Sequence, residues 1–210
     1  MAYRPIFYDT ETTGLKPDKD RIIELAAFDP YLDKKFHFLI NPQVLIPEET
    51  IKIHQITNEM VQSAPPFSEV APLFTDFCSG ECVLIAHNNN SFDQPFLEAE
   101  FRRASVAFPH HCFFIDSLLW ARKYRSDLPR HPLQYLREIY GIPPNQAHRA
   151  MNDVLILFQV FSRMIGDLSM ETVVELMTSL SIDQHLERRK EKNQSQKATP
   201  ISELARGIIP

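Results

Sequence analysis

A chain of 210 residues that is 44% hydrophobic and 10% aromatic has enough apolar material for one well-filled core and too little length for two large domains. No apolar run approaches the roughly 20 residues that span a bilayer, and no signal-peptide pattern precedes the first strand-like segment, so a cytoplasmic protein without membrane contact is expected. The formal charge of −5 argues against coating a long nucleic acid, but not against gripping a strand end with carboxylates whose charge is cancelled by cations.

Residues 4–9 read as a buried strand that ends before the polar turn Thr12-Thr13-Gly14. Two more strands are expected at 21–28 and 35–40, parted by Asp29-Pro30, and short turns make the three antiparallel. Residues 41–66 are punctuated by proline, with room for short helices at 48–54 and 58–62. Helical periodicity marks 67–77, and Cys-Val-Leu-Ile-Ala at 82–86 is a strand. A helix over 92–103 and a short strand at 113–115 follow. Asp116 is placed to cap the next helix, which runs through Tyr124. Further helices are expected at about 132–140, stopped by Gly141 and two prolines, and at about 150–165. Strands first, then strands mixed with helices, predict an α/β domain with a mixed sheet.

The catalytic candidate domain is assigned to residues 1–166, and a further helix to 167–182. Residues 183–210 form a polar, charged linker and an apolar tail, read as a partner-binding segment or the stub of another domain. Cys78, Cys82 and Cys112 match no zinc spacing, and their apolar neighbours predict buried, reduced thiols.

Three groups of acids stand where apolar chemistry is expected. Asp9 and Glu11 follow Ile6-Phe7-Tyr8 two residues apart, so a strand continued that far would point both carboxylates to one face. An isolated Asp-x-Glu is equally well an ordinary surface pair. Asp93 follows a buried-looking strand and the turn His87-Asn88-Asn89-Asn90, and shares a helical face with Phe96 and Leu97. A helix N-cap is the plain structural alternative. Asp153 has Ala150, Ile156 and Leu157 among its helical neighbours, a costly place for a carboxylate with no cation beside it. His148 lies five positions earlier, an offset of about 140° around a helix, so it belongs in the turn before the helix, over the place that Asp153 addresses. Carboxylate oxygens without thiolates favour Mg²⁺ or Mn²⁺, and a pair of such ions can cleave a phosphodiester. A histidine suits removal of a proton from water near neutral pH.

These residues together resemble the DnaQ-like 3′-to-5′ exonucleases, the DEDDh group of the ribonuclease-H-like superfamily, over roughly residues 4 to 166. The likeness is carried by Phe7-Tyr8-Asp9-Thr10-Glu11-Thr12-Thr13-Gly14, by Ile85-Ala86-His87-Asn88 with Ser91-Phe92-Asp93, and by His148-x₄-Asp153. Ile53-His54-Gln55-Ile56-Thr57, Asp116-Ser117-Leu118 and His131-Pro132-Leu133 fall in order between them. The resemblance implies a five-stranded mixed sheet flanked by helices. It implies two divalent cations on Asp9, Glu11, Asp93 and Asp153, with His148 as general base. It also places Thr12, His54 and Phe92 near the terminal nucleotide, although turn chemistry, a structural hydrogen bond and core filling account for them too. The chain is similar to the proofreading epsilon subunits of DNA polymerase III within this group, which implies the single-stranded 3′ end of DNA as substrate and a polymerase subunit as partner. Two departures stand out: one extra residue in the loop before Phe92-Asp93, and Gln55 where glycine is usual.

Three rival functions remain. The same domain trims RNA or short oligonucleotides in other members of the group. A non-catalytic subunit of a polymerase complex would use the tail instead. An aspartyl phosphatase would need a nucleophile in Asp9-Thr10-Glu11, and fits the His148-x₄-Asp153 element poorly.

Overall fold

The structure is a computed structural model that describes residues 4–109, 112–144 and 149–167. The expectations for His148, for the helix at 167–182 and for the linker and tail at 183–210 lie outside the described residues. Five strands, β1 (Arg4–Thr12), β2 (Ile22–Asp29), β3 (Lys34–Leu39), β4 (Cys82–Ala86) and β5 (Phe113–Asp116), form one sheet in the order β3-β2-β1-β4-β5. β1 runs antiparallel to β2 and β2 to β3, while β4 is parallel to both β1 and β5. The expected α/β architecture with a five-stranded mixed sheet is the one observed.

Between and around the strands lie α1 (Glu48–His54), α2 (Asn58–Val61), α3 (Phe67–Phe77), α4 (Asp93–Ala104), α5 (Ser117–Tyr124), α6 (Leu133–Ile139) and α7 (Ala150–Gly166). Two element ends differ from the sequence expectation in ways that matter. β1 does not stop at Asp9; it continues to Thr12 because β2 keeps pairing with it as far as Thr12↔Ile22, across a register shift after Glu11. α4 starts at Asp93, with Phe92 at its N-cap in a non-helical conformation.

The strands alternate, so the sheet has two faces. On one, Ile6 and Tyr8 of β1 and Leu25 and Ala27 of β2 join Phe67, Val70 and Phe74 of α3 and Phe96, Leu97 and Phe101 of α4 in the main core. The other is set by the register Phe7↔Phe28, Asp9↔Ala26 and Glu11↔Glu24. There α7 lies against the sheet, with the Phe158 ring 5.3 Å from both Phe7 and Phe28. Phe161 adds an edge contact to Phe7 at 5.7 Å. Edge-to-face pairs of this kind add about 0.5–1.5 kcal/mol beyond area burial and resist axial rotation of the helix.

Gln55 occupies the left-handed C-cap of α1, with φ 60° and its N–H donated to Ile51 O at 2.7 Å. The usual glycine at this place is thus a matter of backbone sterics at a helix end. Cys78, Cys82 and Cys112 are thiols buried in the core, as expected.

Candidate active site

β1 outruns one of its two neighbours. Its ladder with β4 reaches only Phe7↔Ile85, whereas its ladder with β2 reaches Thr12. Past Phe7, one edge of β1 opens at the carboxyl ends of two parallel strands, the crevice where open α/β sheets take their ligands. Asp93 reaches into this gap from α4. Its Oδ1 accepts the Thr10 backbone N–H at 3.1 Å and the Thr10 hydroxyl at 2.8 Å. The carboxylate therefore ties α4 to β1, and the N-cap position of its helix belongs to Phe92.

Asp9 and Glu11 project from β1 toward α7. Asp153, in the first turn of α7, meets them, and one carboxylate oxygen from each of the three lies within 4.8 Å of the others. Asp93 lines the same cavity of about 510 Å³, together with Thr12, His54, Phe92 and Gln134. Asp9, Glu11, Asp93 and Asp153 are thus brought to one cavity, and the tight trio is Asp9, Glu11 and Asp153.

The cavity is hostile to this much negative charge. Burial, followed by the nearness of Asp93, Glu11 and Asp153, pushes the Asp9 carboxyl well above the usual range. Glu11 is pushed up to about 8 by burial, then by Glu24, Asp153 and Asp93. Asp93 is pushed up to about 7 by burial, against the two hydrogen bonds from Thr10. Among the described residues, no hydrogen bond reaches the carboxylates of Asp9 or Glu11. Like charges held this close without donors call for cations or protons. An all-oxygen donor set suits a hard divalent ion.

The substrate-side candidates differ in what already occupies them. The Thr12 hydroxyl donates to Gly14 O at 2.5 Å, closing the turn after β1. At Gly14 a Cβ would meet the Asp20 carboxylate, so a larger residue in this turn would have to displace that side chain. Nδ1 of the buried His54 accepts the Ile56 N–H at 3.0 Å, which makes the Nε2 edge the donor of the neutral ring. Phe92 packs on Phe96 with centroids 4.9 Å apart while still lining the cavity.

The loop with the extra residue is pinned by a single side chain. Asp116 accepts the Asn88 N–H at 3.1 Å and the Asn90 N–H at 3.0 Å while capping α5 through Leu118 N–H at 3.0 Å. Asn88 takes up the turn in the left-handed region at φ 70°, and the buried Asn89 side chain accepts from the Tyr8 hydroxyl. His87, on the cavity wall, is structural. Its Nε2 must donate to His131 O at 2.9 Å, which leaves Nδ1 to accept from the Ser117 hydroxyl at 2.9 Å. Burial lowers its pKa to about 4, so the ring stays neutral.

Two residues at the site were not singled out from sequence. Gln134 donates Nε2–H to Asp153 Oδ1 at 2.9 Å, while its Oε1 accepts from Arg137 Nε at 2.9 Å, which fixes the amide orientation. Nothing in the local sequence marks it. Glu24 is fully buried beside Glu11, and its signal was available: a glutamate inside the apolar run Ile22-Ile23-Glu24-Leu25-Ala26-Ala27. Burial acts to raise its pKa, but hydrogen bonds from His37, Arg149 and the Ala150 amide outweigh it and hold Glu24 below its usual range.

The family model described as Exonuclease matches residues 6–161. The DNA polymerase III subunit epsilon of Treponema pallidum is 39% identical over 164 residues, covering 76% of this chain and 75% of its own. Exonuclease DPD1, chloroplastic/mitochondrial, of Arabidopsis thaliana is 37% identical over 183 residues, covering 79% of this chain. DNA polymerase III PolC-type of Staphylococcus epidermidis is 32% identical over 203 residues and covers 90% of this chain. The chain spans 57% of the length of the Arabidopsis relative and 13% of the Staphylococcus one. Among solved structures, exonuclease I superposes with a TM-score of 0.72 at 21% identity, over 84% of this chain and 44% of its own. The E. coli exonuclease I in complex with a dT13 oligonucleotide gives 0.69 at 19% identity, over 84% of this chain and 44% of its own. At such identities the superpositions speak to the shared fold, which is the ribonuclease-H-like one.

Proposed function

The chain belongs to the exonuclease family, and from that premise we propose that it hydrolyses phosphodiester bonds at the single-stranded 3′ end of DNA. The products are nucleoside 5′-monophosphates, and the setting is replication proofreading or repair beside a DNA polymerase subunit in the cytoplasm. One observation carries this reading: carboxylates from β1 and α7 meet within 4.8 Å of one another at an open cavity, two of them without a donor among the described residues.

Asp9, Glu11, Asp93 and Asp153 would hold two divalent cations, Mg²⁺ or Mn²⁺. Such a pair supplies Lewis acidity that activates water and stabilises the departing oxygen. The chain's own part is to orient and exclude. Thr10 fixes Asp93 on β1, and Gln134 fixes one oxygen of Asp153. His148 is assigned the removal of the proton from the attacking water by an imidazole nitrogen. Thr12, His54 and Phe92 line the place for the terminal nucleotide. The catalytic unit is assigned to residues 1–166, and deletion of 183–210 is expected to leave the rate unchanged.

Digestion of a 5′-labelled single-stranded DNA in Mg²⁺ or Mn²⁺ tests the proposal, with a matched RNA alongside. A ladder shortening from the 3′ end and silenced by EDTA is expected. Full activity in EDTA would overturn it, and faster loss of the RNA would move the substrate to that class.

A further inference from the structure

Glu24 is a fifth carboxylate, buried behind Glu11 rather than lining the acidic cavity, and its chemistry differs from that of the other four. It faces Glu11 across the β1–β2 ladder and has no solvent exposure. Its Oε1 accepts from His37 Nε2 at 2.7 Å and Arg149 Nη2 at 3.1 Å, and its Oε2 from the Ala150 N–H at 3.0 Å. With both oxygens engaged by protein donors, it stands apart from the trio of Asp9, Glu11 and Asp153.

The Ala150 amide is the first of α7, and first-turn amides have no acceptor within their own helix. The N-cap residue is Arg149, whose side chain makes no cap bond. Glu24 supplies from the sheet the acceptor that the local sequence lacks, and grips Arg149 with its other oxygen. Asp153 follows within one turn. A helix that started one residue out of phase would carry Asp153 about 100° around the axis and away from β1. The Phe158 and Phe161 contacts hold the middle of α7, so the start of the helix is the part left for Glu24 to secure.

We propose that Glu24 is a positioning residue that anchors the first turn of α7 to β2 and so sets Asp153 opposite Asp9 and Glu11. This rests on the proposed role of those acids as cation ligands. Loss of a residue that orients ligands from behind typically weakens metal binding by about 10–100-fold.

The test uses the full chain with Glu24→Gln, which keeps the shape but loses the charge, and Glu24→Ala. Hydrogen exchange of the metal-free protein should quicken at residues 150–154 and stay unchanged at 156–164. Calorimetric Mn²⁺ titration should show affinity weakened about tenfold or more. Turnover should fall at low Mn²⁺ and recover in part at high Mn²⁺, with KM for the oligonucleotide unchanged. Exchange that rises evenly along α7 with Mn²⁺ affinity intact would overturn the proposal and leave Glu24 a residue of general stability. If Glu24→Gln keeps wild-type exchange at 150–154, the anchor does not exist. Should the wild-type chain neither bind Mn²⁺ nor cut a 3′ end, the functional reading fails, while the exchange data still decide the anchor.

Discussion

The two faces of the sheet are built from alternate residues of the same strands and meet opposite fates. On the α3–α4 face, Ile6, Tyr8, Leu25 and Ala27 are closed over by aromatic side chains, and the Tyr8 hydroxyl is bonded to Asn89. On the α7 face, the row starts the same way at Phe7 and then turns acidic at Asp9 and Glu11, with Asp153 descending from the helix to meet them. Burying a large apolar side chain contributes roughly 1.5–3 kcal/mol, whereas a buried carboxylate without partners works against folding. One face thus holds the domain together, and the other uses part of that stability to hold repelling groups in place.

The largest test of this division is at the acidic end. Asp153→Ala or Asp9→Ala should lower kcat on the order of 10³-fold or more, as when a group that stabilises developing charge is removed, while the melting temperature stays level or rises. A large loss of stability with little loss of rate would reverse the assignment of the two faces. On the apolar side, Phe74→Ala should cost about 3–5 kcal/mol in denaturant unfolding, with the rate per folded molecule retained.

Next is the pH dependence of the metal-free protein. Glu11 titrates at about 8 when folded against an ordinary 4.5, and Asp93 at about 7 against 3.8. The folded chain therefore binds more protons than the unfolded one between these values. Stability in EDTA is expected to be greatest below about pH 4 with respect to these groups and to fall as pH rises toward about 8. Saturating Mg²⁺ should flatten that slope, because cations replace protons; thermal melts at pH 5, 6.5 and 8 with and without the ion measure it. A slope of the opposite sign would mean that the acids are already compensated by the protein. The smallest effect is expected at the seam between the faces. Thr10→Val removes one of the two donors to Asp93 and should cost about 1–3 kcal/mol, with a milder drop in rate than loss of Asp93 itself.

Much of this was legible in the chain. The helix at 67–77 and the strand at 82–86 match α3 and β4 residue for residue, since each is a short-range pattern closed by local breakers. Asp116 was legible as a cap, but not its second grip on Asn88 and Asn90, because those amides come from a loop 26 and 28 residues away. The end of β1 was read too early, because a strand with polar residues looks like a turn until a partner strand is seen to continue beside it. Gln134 was invisible, since an exposed-looking amide on a short helix acquires meaning only from the carboxylate it touches.

By itself, the sequence determined which residues alternate, where most helices begin and end, and that acids recur at three places in apolar surroundings. Periodicity and capping depend on near neighbours, and those are written in the chain. Only the tertiary structure decided that β1 outruns β4, that Asp9 and Glu11 share their face with α7, and that Glu24 is satisfied by donors while none among the described residues reaches Glu11 beside it. Strand register and helix phase are set by contacts between distant segments, and a carboxylate's character depends on what those contacts bring to it.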